Sequence, residues 1–211
     1  MSLANLIEQV RSQIRDTKEP YVFAREVPAT ETSPAVPDEL ETFVMRAVHD
    51  YSRWRPLKKR GTLSIVPGEV EYVLPNDFIQ IDNFVLNVGF DPLQYRVLVN
   101  KIYLIQPPID REDVIYYYDA LHTPDTIPAY DEPAIVSLAA AMALRAIVGD
   151  PKMLHDYISY DLEGVVKINT ENMTEAIEQI LKAAQQLEEQ YSSRIVTSQK
   201  EEKNSPFMTF G

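Results

Sequence analysis

Between Tyr51 and Phe78 the chain changes its hydrophobic period, and few folds accommodate that change. Upstream, Leu40, Phe43, Val44, Ala47, Val48, Tyr51 and Trp54 recur at the spacing of one helical face. Pro37-Asp38-Glu39 supplies a helix start, with a proline for the first turn and acids for the positive end of the dipole. Pro56 stops the helix, because the residue before a proline is driven out of the helical region. Downstream, Thr62-Leu-Ser-Ile-Val66 and Val70-Glu-Tyr-Val-Leu74 alternate in the manner of strands and flank Pro67-Gly68, which predicts a hairpin. Tyr72-Val-Leu-Pro75-Asn-Asp-Phe78 closes the stretch. A helix therefore hands over to a sheet across a short basic run, Lys58-Lys59-Arg60, and Gly61. Nothing in this joint requires a catalytic group. Its aromatic residues are expected in the core, so that Trp54→Ala should cost ~3–5 kcal/mol.

The remaining chain continues the same alternation of classes. Leu3, Leu6, Ile7, Val10 and Ile14 define a first helix ending near Thr17, with Ser2 as its N-cap. Residues 18–36 contain Pro20, Pro28 and Pro34 and predict a long extended connection, either a mobile surface loop or an arm by which a subunit reaches its neighbour. Further strands are expected at Gln80–Val88, Tyr95–Val99, Lys101–Gln106 and Val114–Ala120, giving an antiparallel sheet of five or six strands with its tyrosines packed on the sheet face. Ile135–Val148 is apolar almost all round and predicts a buried central helix, with Ala139, Ala143 and Ala146 allowing close approach of a neighbour. Leu154, Tyr157, Ile158, Leu162 and Val165 form another helical face. A long last helix is expected from about Thr170 to Ile195. After it comes a polar tether tipped by Phe207, Met208 and Phe210, either a frayed end or a peptide that docks on a partner. The fold class is thus α+β: a helical bundle with an inserted antiparallel β-sheet and an extended C-terminal tail. The divisions are residues 1–60 (N-terminal helices), 61–128 (β region), 129–196 (C-terminal helices) and 197–211 (docking tail).

Composition narrows the function. The chain has 211 residues, fifteen prolines against six glycines, and no cysteine. Disulfides and thiolate metal sites are excluded, and the redox compartment stays open. No apolar run approaches the ~18 residues of a membrane span. The start, Met1-Ser-Leu-Ala-Asn, has none of the features of a secretory signal, which predicts an untargeted protein made in the cytosol. The net charge of −12 is unevenly spread: +1 over residues 1–60, −7 over 61–128 and −6 over 129–211. An acidic chain makes few of the phosphate contacts on which DNA affinity rests, and suits a surface to which DNA must not adhere.

The motifs of common chemistries are missing. His49, His122 and His155 stand far apart without ligand spacing, so no metal site is expected. No glycine-rich phosphate loop and no Gly-x-Ser-x-Gly elbow occurs, so no cofactor or nucleophile is expected either. Carboxylate pairs such as Glu69/Glu71 and Asp110/Glu112 read as solvent-facing positions on strands and turns, and no catalytic residue is assigned. Arg53, Arg55, Lys58, Lys59 and Arg60 form the basic cluster, expected to contact an acidic neighbouring subunit.

A helix ending in Tyr51-Ser-Arg-Trp-Arg-Pro56, a strand from Gly61, then Pro67-Gly68 and Tyr72-x-Leu-Pro75-x-Asp77-Phe78 resembles the head-to-tail connector (adaptor) proteins of tailed bacteriophages. The likeness is closest over residues 38–79, about a fifth of the chain; elsewhere the layout alone is similar, and the sizeable β insertion departs from the smallest adaptors. The resemblance implies a structural virion protein in the neck between capsid and tail, assembled in the host cytoplasm, without enzymatic activity or cofactor. It implies a ring, commonly a dodecamer, that binds the portal protein above and tail or neck proteins below, and through which DNA passes without specific binding or any membrane contact. Pro206, Phe207, Met208 and Phe210 would then anchor the tail on the portal. The alternatives are another neck or tail component (a stopper or tail-tube protein), a virion-associated cell-wall hydrolase, and a module using Tyr116-Tyr117-Tyr118 to bind glycans or peptides.

Overall fold

The computed structural model describes residues 2–29, 33–85, 94–105, 113–161 and 173–204. The chain forms two compact units, one of Met1–Asp50 with Pro124–Gly211 and one of Tyr51–Thr123. The class is α+β, as expected. The first unit is helical: α1 (Leu3–Gln13), most of α2 (Glu41–Trp54), α3 (Glu132–Gly149), α4 (Pro151–Asp161) and α5 (Met173–Asn204). Among the described residues the second holds six strands: β1 (Leu57–Ser64), β2 (Glu71–Val73), β3 (Phe78–Val85), β4 (Tyr95–Leu98), β5 (Lys101–Leu104) and β6 (Asp113–Ala120).

In the helical unit, α3 supplies the centre. It is 18 residues long, longer than its apolar run suggested, and reaches the length and hydropathy of a membrane span; 56% of it is buried inside the fold. Ala139 and Ala143 are fully buried, and α1, α4 and α5 pack around this helix. The α5 stripe is Ile180, Ala184, Leu187, Tyr191 and Ile195, all buried, and Tyr191 donates a hydrogen bond to Asp50 Oδ2 at 2.8 Å. The helix runs to Asn204, past Ile195, so the polar run Ser198–Asn204 is helical and not a tether.

One buried charge organises the N-terminal half. Arg11 is fully buried on the apolar face of α1 beside Ile7, Val10 and Ile14. Its Nη1 donates to Asp16 Oδ2 (2.6 Å) and to the Phe23 carbonyl (3.0 Å). Its Nη2 donates to Asp38 Oδ2 (2.7 Å) and to the Ala24 carbonyl (3.3 Å). Asp16 also accepts from the amides of Val22 and Phe23, and Asp38 Oδ1 accepts from the Leu40 amide just ahead of α2. Helix α1 ends in a Schellman arrangement: Asp16 N donates to Arg11 O and Arg15 N to Ser12 O. Arg15 takes the left-handed position (φ 61°) that glycine usually fills, and this turn brings Asp16 back onto Arg11. Beyond the network, Val27 and Val36 exchange both backbone hydrogen bonds at 2.9 Å.

The β unit corrects two expectations. Its strands form two three-stranded antiparallel sheets, β1-β6-β3 and β2-β5-β4, and not one sheet. The expected hairpin across Pro67-Gly68 is absent: β1 pairs with β6, and β2 with β5. The turn itself exists, with Gly68 at φ 86° and Glu69 N donating to Val66 O, but it carries the chain from one sheet to the other. Period-two alternation specifies which face of a strand is buried and leaves its pairing partner open. Leu63, Ile65, Tyr72, Leu74, Ile102, Leu104, Val114, Tyr116, Tyr118 and Ala120 indeed form one core cluster drawn from both sheets. Gly61 lies under the Tyr116 ring, where a Cβ would overlap the phenol. The chain enters and leaves this unit at adjoining points: His122 N donates to Ser52 Oγ (2.9 Å), and the rings of Tyr51 and His122 meet edge to face, centroids 5.2 Å apart.

Two substitutions test these assignments. Arg11→Met leaves the Asp16 and Asp38 carboxylates without their cation and the Phe23 and Ala24 carbonyls without this donor, and is expected to lower stability by about 3–5 kcal/mol in urea denaturation. Gly61→Ala is expected to destabilise the β unit by about 1–3 kcal/mol through overpacking against Tyr116, seen as faster amide exchange in β1 and β6.

Candidate functional site

The basic cluster spans the end of α2 and the start of β1, which begins at Leu57, ahead of the expected Gly61. Lys58 and Lys59 are neighbours on a strand, so they point to opposite faces. Lys58 Nζ contacts Asp119 Oδ1 at 2.6 Å and Asp82 Oδ2 at 3.2 Å. Asp119 is buried, directly opposite Lys58 in the register, and its second oxygen accepts from Gln80 Nε2 at 2.7 Å. Lys59 Nζ contacts Asp77 Oδ2 at 2.6 Å, and Asp77 Oδ1 accepts from the Tyr118 hydroxyl at 3.4 Å. Hydrogen bonding to Asp119, then to Asp82, holds the Lys58 ammonium above its ordinary range; Asp77 does the same for Lys59.

The cluster therefore divides. Lys58 joins strands within its own unit, and Lys59 ties β1 to the turn ahead of β3. Arg53 and Arg60 are exposed and form no ion pair among the described residues, and Arg55 is half-buried. Trp54 lies between Arg53 and Arg55 in the sequence and is 55% exposed, contrary to the expectation of a core position. It closes the helical stripe by spacing, but α2 ends at this residue, and the stripe's buried part stops at Tyr51. An exposed tryptophan flanked by arginines has the composition of a protein contact. The tail residues Pro206, Phe207, Met208 and Phe210 lie outside the described residues, as do Asp110 and Glu112.

The described residues bear on the other chemistries as well. Glu71 is held below the usual carboxylate range by hydrogen bonding to Lys101, which keeps it ionised at neutral pH rather than ready to give a proton. Among the described residues, no group of three or more His, Asp and Glu side chains is placed to hold a metal ion. Of the three consecutive tyrosines, Tyr116 and Tyr118 are buried in the core and Tyr117 faces outward, so the strand presents one ring and not a platform. Burial pushes both inner phenols above their ordinary range.

Two polar centres were missed in the sequence, the Arg11 network and the Lys58–Asp119–Gln80 group. Arg11 had a signal: it sits at i+4 from Ile7 on the apolar stripe, where a charge needs a buried partner. Asp119 had none, because its partners come from strands 39 and 61 residues away. No protein-family model matches the chain, and no curated protein matches it.

Lys58→Met strands the buried Asp119 carboxylate and should cost about 1–3 kcal/mol, whereas Arg53→Met and Arg60→Met should each stay within about 0.5 kcal/mol. Trp54→Ala is expected to cost no more than about 1 kcal/mol, in keeping with its exposure. Because the Lys58 pKa is raised on folding, the wild-type advantage over Lys58→Met is full from neutral pH up to the ordinary lysine value near 10.4. It is lost as the pH climbs through the folded value, which amide exchange of β1 at stepped pH would follow.

Proposed function

We propose that the protein is a head-to-tail connector of a tailed bacteriophage, a structural ring component seated between portal and tail through which DNA passes. The observation that carries this reading is the segment 38–79, in which an aromatic-Ser-Arg-x-Arg-Pro helix end leads to Tyr72-x-Leu-Pro75-x-Asp77-Phe78. The roles of those residues support it. Ser52 ties the outgoing strand to the incoming helix, Asp77 takes Lys59, and the Tyr72 hydroxyl bonds the Val66 amide. The motif is the joint at which a β unit is inserted into a helical one. A net charge of −12 also suits a conduit, since negative walls repel phosphate and let DNA move without adhering.

On this reading the protein is not an enzyme and needs no cofactor. Arg53 and Arg60 are the exposed charges offered to an acidic neighbouring subunit, while Lys58 and Lys59 hold the surface that presents them. Pro206, Phe207, Met208 and Phe210 anchor each copy to the portal, and a full ring of weak anchors gives a tight assembly. The ring is commonly a dodecamer in the family that the motif resembles, and its place is the virion neck.

Native mass spectrometry of the protein mixed with the portal ring of its virus tests the reading. A portal complex carrying a full complement of copies is expected. Deleting residues 205–211 should leave the fold intact and abolish the complex. A protein that never associates with the portal would overturn the connector reading, and normal binding by the truncated form would overturn the anchoring role of the tail.

A further inference from the structure

The sheet β2-β5-β4 ends in two strands whose outer edges complement one another. Both β2 and β4 run antiparallel to β5, so they are parallel to each other. Leu74 N donates to Asn100 O and Leu104 N to Val70 O, so Val70, Tyr72 and Leu74 turn their backbone polar groups toward β5. Successive residues of a strand alternate, and the amides and carbonyls of Glu71 and Val73 therefore point away from the sheet. On the other side Ile105 N donates to Gln94 O, so Gln94, Arg96 and Leu98 turn toward β5 and Val97 points outward. Among the described residues, the outward backbone groups of Glu71, Val73 and Val97 have no hydrogen-bond partner. Strand β4 is exposed at all of its positions, although Ile102 and Leu104 beside it on β5 are buried. Neither edge strand contains the proline or lysine that commonly blocks an open edge.

The side chains on the face opposite Tyr72, Ile102 and Leu104 form two rows across the sheet. One reads Glu71, Tyr103, Arg96 and the other Val73, Lys101, Leu98. The first row thus has an acid at its β2 edge and a base at its β4 edge. The second has an apolar side chain at both edges, with Val73 73% and Leu98 56% exposed. Glu71 pairs with Lys101 of its own chain, and a carboxylate has room for a second cation. Arg96 is exposed and forms no ion pair among the described residues.

We infer that the β4 edge of one copy pairs with the β2 edge of the next, continuing the sheet from subunit to subunit. In a parallel pair, a residue bonds the two that flank its opposite number. Val97 set beside Tyr72 of the next copy donates to that copy's Glu71 carbonyl and accepts from its Val73 amide. The same alignment places Arg96 beside the next copy's Glu71 and Leu98 beside its Val73. The two edges are different surfaces of one subunit, so the contact is heterologous, and such contacts close into a ring where their rotation allows. Two hydrogen bonds and two side-chain pairs make a weak junction, which a closed ring of copies reinforces. The inference rests on the ring reading above and names its contact, but its test leaves the portal out, so the two can fail separately.

The chain has no cysteine, so single thiols can be placed at will. Full-length Leu98→Cys and Val73→Cys proteins are mixed at millimolar concentration and treated with a short bismaleimide, which easily spans neighbouring strands about 4.8 Å apart. The expected product is a crosslinked heterodimer. Its yield should be about tenfold above that of Leu98→Cys mixed with Val27→Cys, a 53% exposed position on the helical unit. Val97→Pro, added to the Leu98→Cys chain, removes the outward amide without touching the bonds to β5 and should return the yield to that control. Arg96→Glu in the same chain should lower the yield severalfold, and Glu71→Arg in the Val73→Cys chain should restore it. A yield no better than the control would overturn the proposal. So would a product made mainly of crosslinked Leu98→Cys homodimers, or a yield indifferent to the proline and to the charge exchange.

Discussion

A guanidinium sealed inside the helical unit is tolerable only when its partners are fixed, and Arg11 fixes four of them. Two carboxylates and two carbonyls converge on it from the turn after α1, from the connection that follows, and from Asp38 ahead of α2. The cost of burying an unpaired charge is several kcal/mol, so the three segments are held together or not at all. The network also draws in the surface, where the Tyr21 ring lies within 5.3 Å of the Arg11 guanidinium carbon and 4.4 Å of that of Arg25. Without it, residues 15–38 would be a proline-rich loop with no core of its own. With it, Asp16, Phe23, Ala24 and Asp38 are tied to α1.

The β unit is held differently. Lys58 is matched across the register to Asp119 and Lys59 reaches Asp77 in the turn ahead of β3, while the tyrosines join the core drawn from both sheets. Polar pairing there aligns strands distant in sequence, and apolar burial supplies the cohesion. The same basic run thus serves two purposes. Its lysines are internal fasteners of the sheet, and its flanking arginines remain on the surface beside an exposed tryptophan.

The sequence was most informative where periodicity decides the answer. The faces of α1, α2, α3 and α5 were readable because core-facing residues repeat at helical spacing, and the strand positions because alternation marks a half-buried surface. Pairing was not readable. Leu63, Ile65, Tyr72 and Leu74 announce a shared core, yet they lie in two sheets, and nothing local distinguishes a hairpin turn from a crossing at Pro67-Gly68. Burial at the ends of elements was also hidden. Trp54 satisfies the spacing of its helix, but spacing cannot say how far the neighbouring layer extends. Of the candidate site, the basic residues were legible as a cluster, whereas their division depended on Asp77, Asp82 and Asp119, which meet them only in the folded unit.

The bond between Ser52 and His122 has a wider meaning. Two residues 70 apart in sequence are joined by a single hydrogen bond, so the chain departs and returns through one doorway. To the helical unit, everything between them is topologically a long loop with closed ends. Material inside such a doorway can be lengthened, shortened or replaced in evolution while the helices that flank it keep their connection. The β unit is therefore closed at its own base by residues from both of its ends.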